Sequence, residues 1–185
     1  MSARILMTGS RGWNNTELAS AALKAGMLLL DTQAPTTTLI HGAARGADLM
    51  LAGEAMLLGM PTEPHPAQWN QHSDSCPDWD KKGDRCKLAG FHRNTRMINS
   101  NVDLCLAFPT HPQALAPGQD RKESSRGTWH CVAEASKAGV PTFVIWGRRV
   151  FPFGDAGIAL MQHTTQQRNI SLDNQGGLPL SELGL

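Results

Sequence analysis

The chain reads as an α/β protein: a Rossmann-like open, mainly parallel sheet with helices on both faces, plus a C-terminal appendage. Three observations predict this. Short apolar and β-branched blocks alternate with stretches of helical periodicity. The blocks end in Gly-rich turns that open the next helix. Helices of about 12–16 residues between the strands imply a parallel sheet with right-handed crossovers.

Each element follows in order. Arg4 to Thr8 is a short buried strand, and Gly9-Ser10-Arg11-Gly12-Trp13 is the turn after it. Asn15 to Leu30 is a helix, with Leu18, Ala21, Leu23, Met27 and Leu30 at near-helical spacing and Asn15 or Thr16 as its N-cap. Pro35 to His41 is a β-branched strand running into Gly42-Ala43-Ala44-Arg45-Gly46-Ala47-Asp48. A helix then continues through Leu58 and stops at Gly59. A third strand lies around Met60 to Glu63, stopped by Pro64-His65-Pro66. Residues 67–90 form an inserted polar loop with Trp69, Trp79 and two Cys, longer than an ordinary connection. Phe91 to Asn99 is a helix and Val102 to Phe108 the clearest strand. After a Pro-, Gln- and Lys-rich loop from Pro109 to Arg126, Gly127-Thr128 opens a helix to Ala138, and Val140 to Trp146 is the last strand. Residues 1–146 are therefore the domain. Residues 147–185 are a C-terminal extension of weak periodicity, with one short helix near Ala156 to His163.

Composition bounds the function. A chain of 185 residues can bury roughly 70% of its extended surface, so it needs no covalent staples. Charged residues are 18% and the net charge is +1, which excludes a disordered chain and disfavours a strongly electrostatic nucleic-acid binder. No apolar run reaches the roughly 18 residues that cross a bilayer. The opening Met1-Ser2-Ala3-Arg4-Ile5-Leu6 has no basic segment followed by an apolar one, so no export is expected. Four Cys in this length are not a disulfide scaffold, and a reducing cytoplasm is the expected location.

The chemistry belongs at the carboxyl ends of the strands, where open parallel sheets take ligands. Three such ends combine small residues with Arg: Gly9, Ser10 and Arg11; Gly42, Ala44, Arg45 and Gly46; and Ser125, Arg126, Gly127 and Thr128. A helix N-terminus presents unpaired N–H groups and a partial positive charge. Glycine lets the backbone approach an anion, and Arg offers a planar fork that matches phosphate oxygens. The pattern predicts an anion or nucleotide site. It is neither G-x-G-x-x-G nor a P-loop, which disfavours a conventional dehydrogenase or NTPase. Trp13, Trp69 and Trp129 flank these ends, where an indole face can stack on a base. Cys105 falls in a buried strand and reads as a small core hydrophobe.

In the loop, His72, Cys76 and Cys86 with His92 offer the donor types of a structural zinc site. The spacing is not C-x2-C, and free thiols or a disulfide formed outside the cell are the alternatives.

Five segments carry a family resemblance: Ile5 to Trp13, Leu39 to Asp48, His65 to Trp69, Ala89 to Asn94 with Met97, and Val102 to Phe108. Together they resemble the YspA/YpsA-related branch of the SLOG superfamily, found in bacteria and their phages. The resemblance implies a Rossmann-like fold and a nucleotide-derived ligand. Relatives in the superfamily include the LOG enzymes, which hydrolyse the N-glycosidic bond of nucleoside monophosphates, and the DNA-processing protein DprA. Arg93 lies ten residues before Asp103, as an Arg does in LOG enzymes, and Gly127-Thr128 keep part of the LOG motif. Cys131 stands at the position of that motif's Glu, leaving Glu134 as a weak substitute.

The leading expectation is a protein that binds a nucleoside monophosphate, an ADP-ribose-like molecule or a cyclic nucleotide. Its contacts would be the residues named above with Trp13 and Arg93, and it would require no cofactor, the structural zinc of the loop being one alternative for His72, Cys76, Cys86 and His92. The alternative is a LOG-like phosphoribohydrolase using Arg93 and Glu134. DprA-like nucleic-acid binding ranks third, no membrane partner is expected, and a homo-oligomer would match the habit of related proteins.

Overall fold

The computed structural model describes residues 2–110 and 125–183; His111 and most of the expected 109–126 loop lie outside them. Its first half comprises β1 (Ala3–Gly9), α1 (Thr16–Leu29), β2 (Thr37–His41), α2 (Ala47–Leu57) and β3 (Thr62–Pro64). Then come α3 (Asp78–Lys81), α4 (Ala89–Ile98), β4 (Leu104–Phe108), α5 (Arg126–Lys137) and β5 (Thr142–Trp146). The chain finishes with β6 (Arg149–Phe153), α6 (Gly154–Arg168) and β7 (Leu178–Pro179). One sheet holds the strands in the order β3-β2-β1-β4-β5-β6-β7. The first five are parallel, and β6 and β7 are antiparallel. The mainly parallel α/β architecture expected from the sequence is the one observed. From β1 the chain steps outward through β2 to β3, then returns to β1's other side as β4. A crevice beyond the strand ends at such a reversal is where open sheets bind ligands.

Both faces of the sheet are covered, which is why β1 and β4 read as continuous apolar runs. Ile5 and Met7 pack on one side with Leu18 and Leu23 of α1 and Leu51 of α2. Leu6 points to the other, with Ile40, Met97 of α4 and Cys131 of α5. Asn15, rather than Thr16, caps α1: its backbone is extended and its Oδ1 accepts the Leu18 N–H at 2.9 Å. At Gly26, a Cβ would come 2.9 Å from Leu106 Cδ1 and 3.1 Å from Ile5 Cδ1, so its absence sets how closely α1 lies on the sheet.

The residues after Gly147 continue the same sheet. Gly147, at φ +57°, begins a two-residue turn that sets Trp146 opposite Arg149 and folds β6 back along β5. Helix α6 is longer than the short helix expected around residues 156–163, and it buries only the narrow stripe of Gly157, Met161 and Thr164. That narrowness explains its weak periodicity. Met161, Leu178 and Leu180 belong to the larger core cluster. At the sheet's two edges, β3 has three residues ending in Pro64 and β7 two ending in Pro179. No described helix is long and apolar enough to cross a membrane.

Candidate functional site

The turns after β1, β2 and β4, the head of α5 and the β5–β6 hairpin enclose a cleft of about 1370 Å³. Gly9, Ser10, Arg11 and Trp13 line it from the first turn, and Gly42, Ala44 and Arg45 from the second. Ser125, Arg126, Gly127 and Thr128 line it from α5, and Arg93 from α4. Gly46 is not in the lining. It holds φ +80°, and a Cβ there would fall on the Arg11 carbonyl. The bare backbone lets Ala47 N–H reach Ser10 O at 3.1 Å, so Gly46 joins the two turns from behind.

A chain of hydroxyls crosses the reversal point. Thr110, just past β4, donates its hydroxyl to Ser10 Oγ at 3.0 Å. Its N–H donates to Ser125 Oγ at 2.7 Å, and the Thr110 and Ser125 hydroxyls are themselves 2.7 Å apart. Ser125 at φ +42° and Ala43 at φ +51° both hold left-handed backbone, which non-glycine residues rarely adopt and which clusters at ligand sites.

Arg93 and Asp48 form the floor. Arg93 Nη1 lies 3.5 Å from Asp48 Oδ2, with the two side chains 13% and 5% exposed. Burial pushes the Asp48 carboxyl up, opposed by Arg93 and by the N–H groups of Ala44, Gly42 and Gly9. Burial likewise pulls the Arg93 guanidinium down, with Asp48 opposing. Both shifts run against the charged forms, so the pair only partly compensates its own desolvation. Arg93 Nε and Nη1 make no hydrogen bond. A guanidinium held this way gains from an added anion.

Lys87 and Arg148 bring the cations of the lining to six with Arg11, Arg45, Arg93 and Arg126, while Asp48 is the sole carboxylate among the described lining residues. Arg148 Nη1 also contacts Glu17 Oε1 at 2.7 Å. Trp13, Trp69, Phe91 and Trp146 supply aromatic walls. Trp13 rests on Phe108 at 4.9 Å between ring centroids. Trp129 does not line the cleft and packs near Phe153.

The groups named for hydrolysis are dispersed. Glu134 is not in the lining, and its carboxylate takes Lys137 Nζ at 2.8 Å. Cys131 is fully buried beside Cys105 in the core under α5. Asp103 sits at the opposite, amino end of β4, where its Oδ2 accepts the Arg4 N–H. Sequence reasoning did not single out Asp48 or Asn94. Asn94 Nδ2 donates to Gly127 O at 2.9 Å and so fixes the head of α5 to α4. Asp48 closes the small-residue motif after β2, an acidic first-turn signal that was available to read.

In the inserted loop, one ligand atom each from His72, Cys76, Asp80 and Cys86 gather within 4.8 Å of one another. This is a possible metal-binding group. Asp80 stands where the sequence spacing suggested His92. His92 Nε2 lies 3.2 Å from Cys76 Sγ, outside the group of four.

The chain resembles known proteins at several levels. The model of the YspA, cpYpsA-related SLOG family matches residues 3–72. Gene 61 protein of Mycobacterium phage D29 is 34% identical over 152 residues, covering 82% of this chain and 97% of that protein. DNA processing protein A (DprA) from Streptococcus pneumoniae shares the fold, with a TM-score of 0.50 and 16% identity over 90% of this chain. The match spans 56% of that protein, little more than half its length. DprA from Helicobacter pylori matches with a TM-score of 0.44 and 14% identity, over 87% of this chain and 72% of that one.

Proposed function

The chain belongs to the YspA, cpYpsA-related SLOG family, and from that premise we propose that it binds a nucleotide or nucleotide-derived small ligand in the cleft at the carboxyl ends of β1, β2 and β4. The observation that carries this reading is the charge of the lining. Six cations and one carboxylate converge in a single cleft of a chain whose net charge is only +1. An anion held there is recognised locally, whereas a nucleic-acid strand calls for a basic surface that follows its backbone. The aromatic walls suit a base, and the head of α5 with Arg126 suits a phosphate. The cleft exceeds the roughly 300–1,000 Å³ of ordinary small-molecule sites, leaving room for a nucleoside with more than one phosphate. A nucleoside monophosphate, an ADP-ribose-like molecule and a cyclic nucleotide are the candidates.

Binding is favoured over hydrolysis because Cys131 is buried where the resemblance implies a Glu, and Glu134 is tied to Lys137. The test is a thermal-shift and calorimetric panel of AMP, ADP-ribose, a cyclic dinucleotide and a single-stranded oligonucleotide, with each mixture then resolved by chromatography. A ligand at 100 times its Kd should add about 2.7 kcal/mol of stability. A shift with intact nucleotide supports the reading. Release of free base would make the protein a hydrolase, binding of the oligonucleotide alone would make it a nucleic-acid module, and no response would overturn the proposal.

A further inference from the structure

The loop between β3 and α4 holds a side-chain cluster that ligand binding leaves unused. Residues 65–88 contain no regular element except the four-residue α3. Their apolar centre is small: Cys76, Cys86 and Ala89 are its buried members. Yet Asp80, with 1% of its surface exposed, lies within this small centre. A buried carboxylate requires a counter-charge or full hydrogen bonding.

Two opposite edges of the four-donor group match those of a zinc tetrahedron, and all four ligand atoms lie within 4.8 Å of one another. Cys76 Sγ and Cys86 Sγ are 3.6 Å apart, and His72 Nδ1 and Asp80 Oδ2 are 3.4 Å apart. Zinc bonds of about 2.3 Å to sulfur and about 2.0–2.1 Å to nitrogen or oxygen would set those edges at about 3.8 Å and about 3.3–3.4 Å. The shorter edge is too long for the alternative, a charged His72 bonded to Asp80, since such bonds run about 2.7–2.9 Å. His72 Nδ1 and Asp80 Oδ2 are buried and make no hydrogen bond.

The remaining atoms of the same side chains are anchored. His72 Nε2 bonds Gly83 O at 2.8 Å; with the proton there, Nδ1 presents a lone pair to the centre. Asp80 Oδ1 accepts the Lys87 N–H at 2.9 Å. These are the outer contacts that orient metal ligands. His92 Nε2 and Ser73 Oγ approach Cys76 Sγ from outside, at 3.2 and 3.6 Å, and suit a thiolate.

We propose that His72 Nδ1, Cys76 Sγ, Asp80 Oδ2 and Cys86 Sγ hold one structural Zn²⁺ that closes the β3–α4 loop. Two sulfurs, one nitrogen and one oxygen suit zinc and not magnesium or calcium, which take oxygen ligands. Four protein donors leave no open position, so the ion is structural and not catalytic. This assignment does not rest on the ligand proposed for the cleft, although Trp69 and Lys87 of the same loop line it.

The test is elemental analysis of the full chain, purified without a polyhistidine tag from zinc-supplemented cells. One zinc per chain is expected, and Cys76→Ser, Cys86→Ser and Asp80→Ala should each lower zinc affinity by about tenfold or more, while His92→Ala keeps the stoichiometry. Should those variants fail to fold, cobalt titrated into the metal-stripped wild type gives the second readout. A thiolate-to-cobalt charge-transfer band with tetrahedral visible bands supports the site. A metal-free chain with no cobalt spectrum overturns the proposal, and so does a Cys76–Cys86 disulfide detected by mass. Zinc lost with His92→Ala but kept with Asp80→Ala overturns the donor set.

Discussion

Arg93 and Asp48 meet at 3.5 Å on the cleft floor, and the Gly42 backbone passes so close that a side chain there would fall on the guanidinium. Removing Arg93 strands a buried carboxylate, so Arg93→Ala should lower stability by about 3 kcal/mol. Nucleotide affinity should fall about 10–100-fold, the worth of a hydrogen bond to a charged group. Adding Asp48→Asn removes the stranded charge. The double variant should regain part of the stability and none of the affinity. Equal unfolding midpoints for the single and double variants would mean the pair is not coupled.

Gly42 and Gly46 separate positioning from strain. Gly42→Ala places a methyl where the Arg93 guanidinium lies, with no left-handed backbone at the site. It should cost only a few degrees of Tm while weakening nucleotide binding about tenfold, a loss of about 1.4 kcal/mol. Gly46→Ala combines φ +80° with a collision on the Arg11 carbonyl, so it should destabilise the fold by about 1–3 kcal/mol. Unchanged affinity in Gly42→Ala would detach the Arg93 position from binding.

Acidification should weaken the fold through His41. The ring is buried at the end of β2, and its Nδ1 accepts the Ala43 N–H at 3.3 Å, which keeps that nitrogen unprotonated. Burial, then Arg93, then His65 lower its pKa below the ordinary 6.5. The native state therefore binds this proton less readily than the unfolded chain. The stabilising contribution is complete above pH 6.5 and is lost as pH falls through the lower native value. Denaturant titrations of wild type and His41→Gln across that window should converge on the acid side. A constant difference between them would exclude the mechanism.

Metal removal should open the inserted loop before the sheet. Lys81, Lys82 and Arg85 are exposed within the four-donor span. Treatment with a strong chelator should accelerate tryptic cleavage after these residues and leave the fragments beyond the loop intact. Equal cleavage rates with and without chelator would count against a closed loop.

What the sequence disclosed and what it concealed divide along the range of the interactions. Ser10 and Arg11, Ala44 and Arg45, and Ser125 to Thr128 were readable because each is a local strand-to-helix turn, and such turns share one sheet edge in a parallel fold. The Arg93–Asp48 contact joins α4 to the first turn of α2, and no local pattern encodes that meeting. Asp80 was hidden for a related reason. Helix α3 has only four residues, too few for periodicity, yet its turn carries the carboxylate back to Cys76 and Cys86. Beyond Gly147, β6 alternates only weakly and α6 buries a thin stripe, so a real part of the sheet resembled a polar tail.

The sheet's short margins carry a consequence for how copies of this chain can meet. Pro64 ends one margin and Pro179 the other, and neither can donate a main-chain hydrogen bond. A neighbour seeking to extend the sheet finds two or three residues and a proline on either side. Strand-by-strand polymerisation is thereby blocked from both flanks. Pairing of two copies is steered away from the sheet edges, toward surfaces where side-chain fit, not backbone templating, selects the partner.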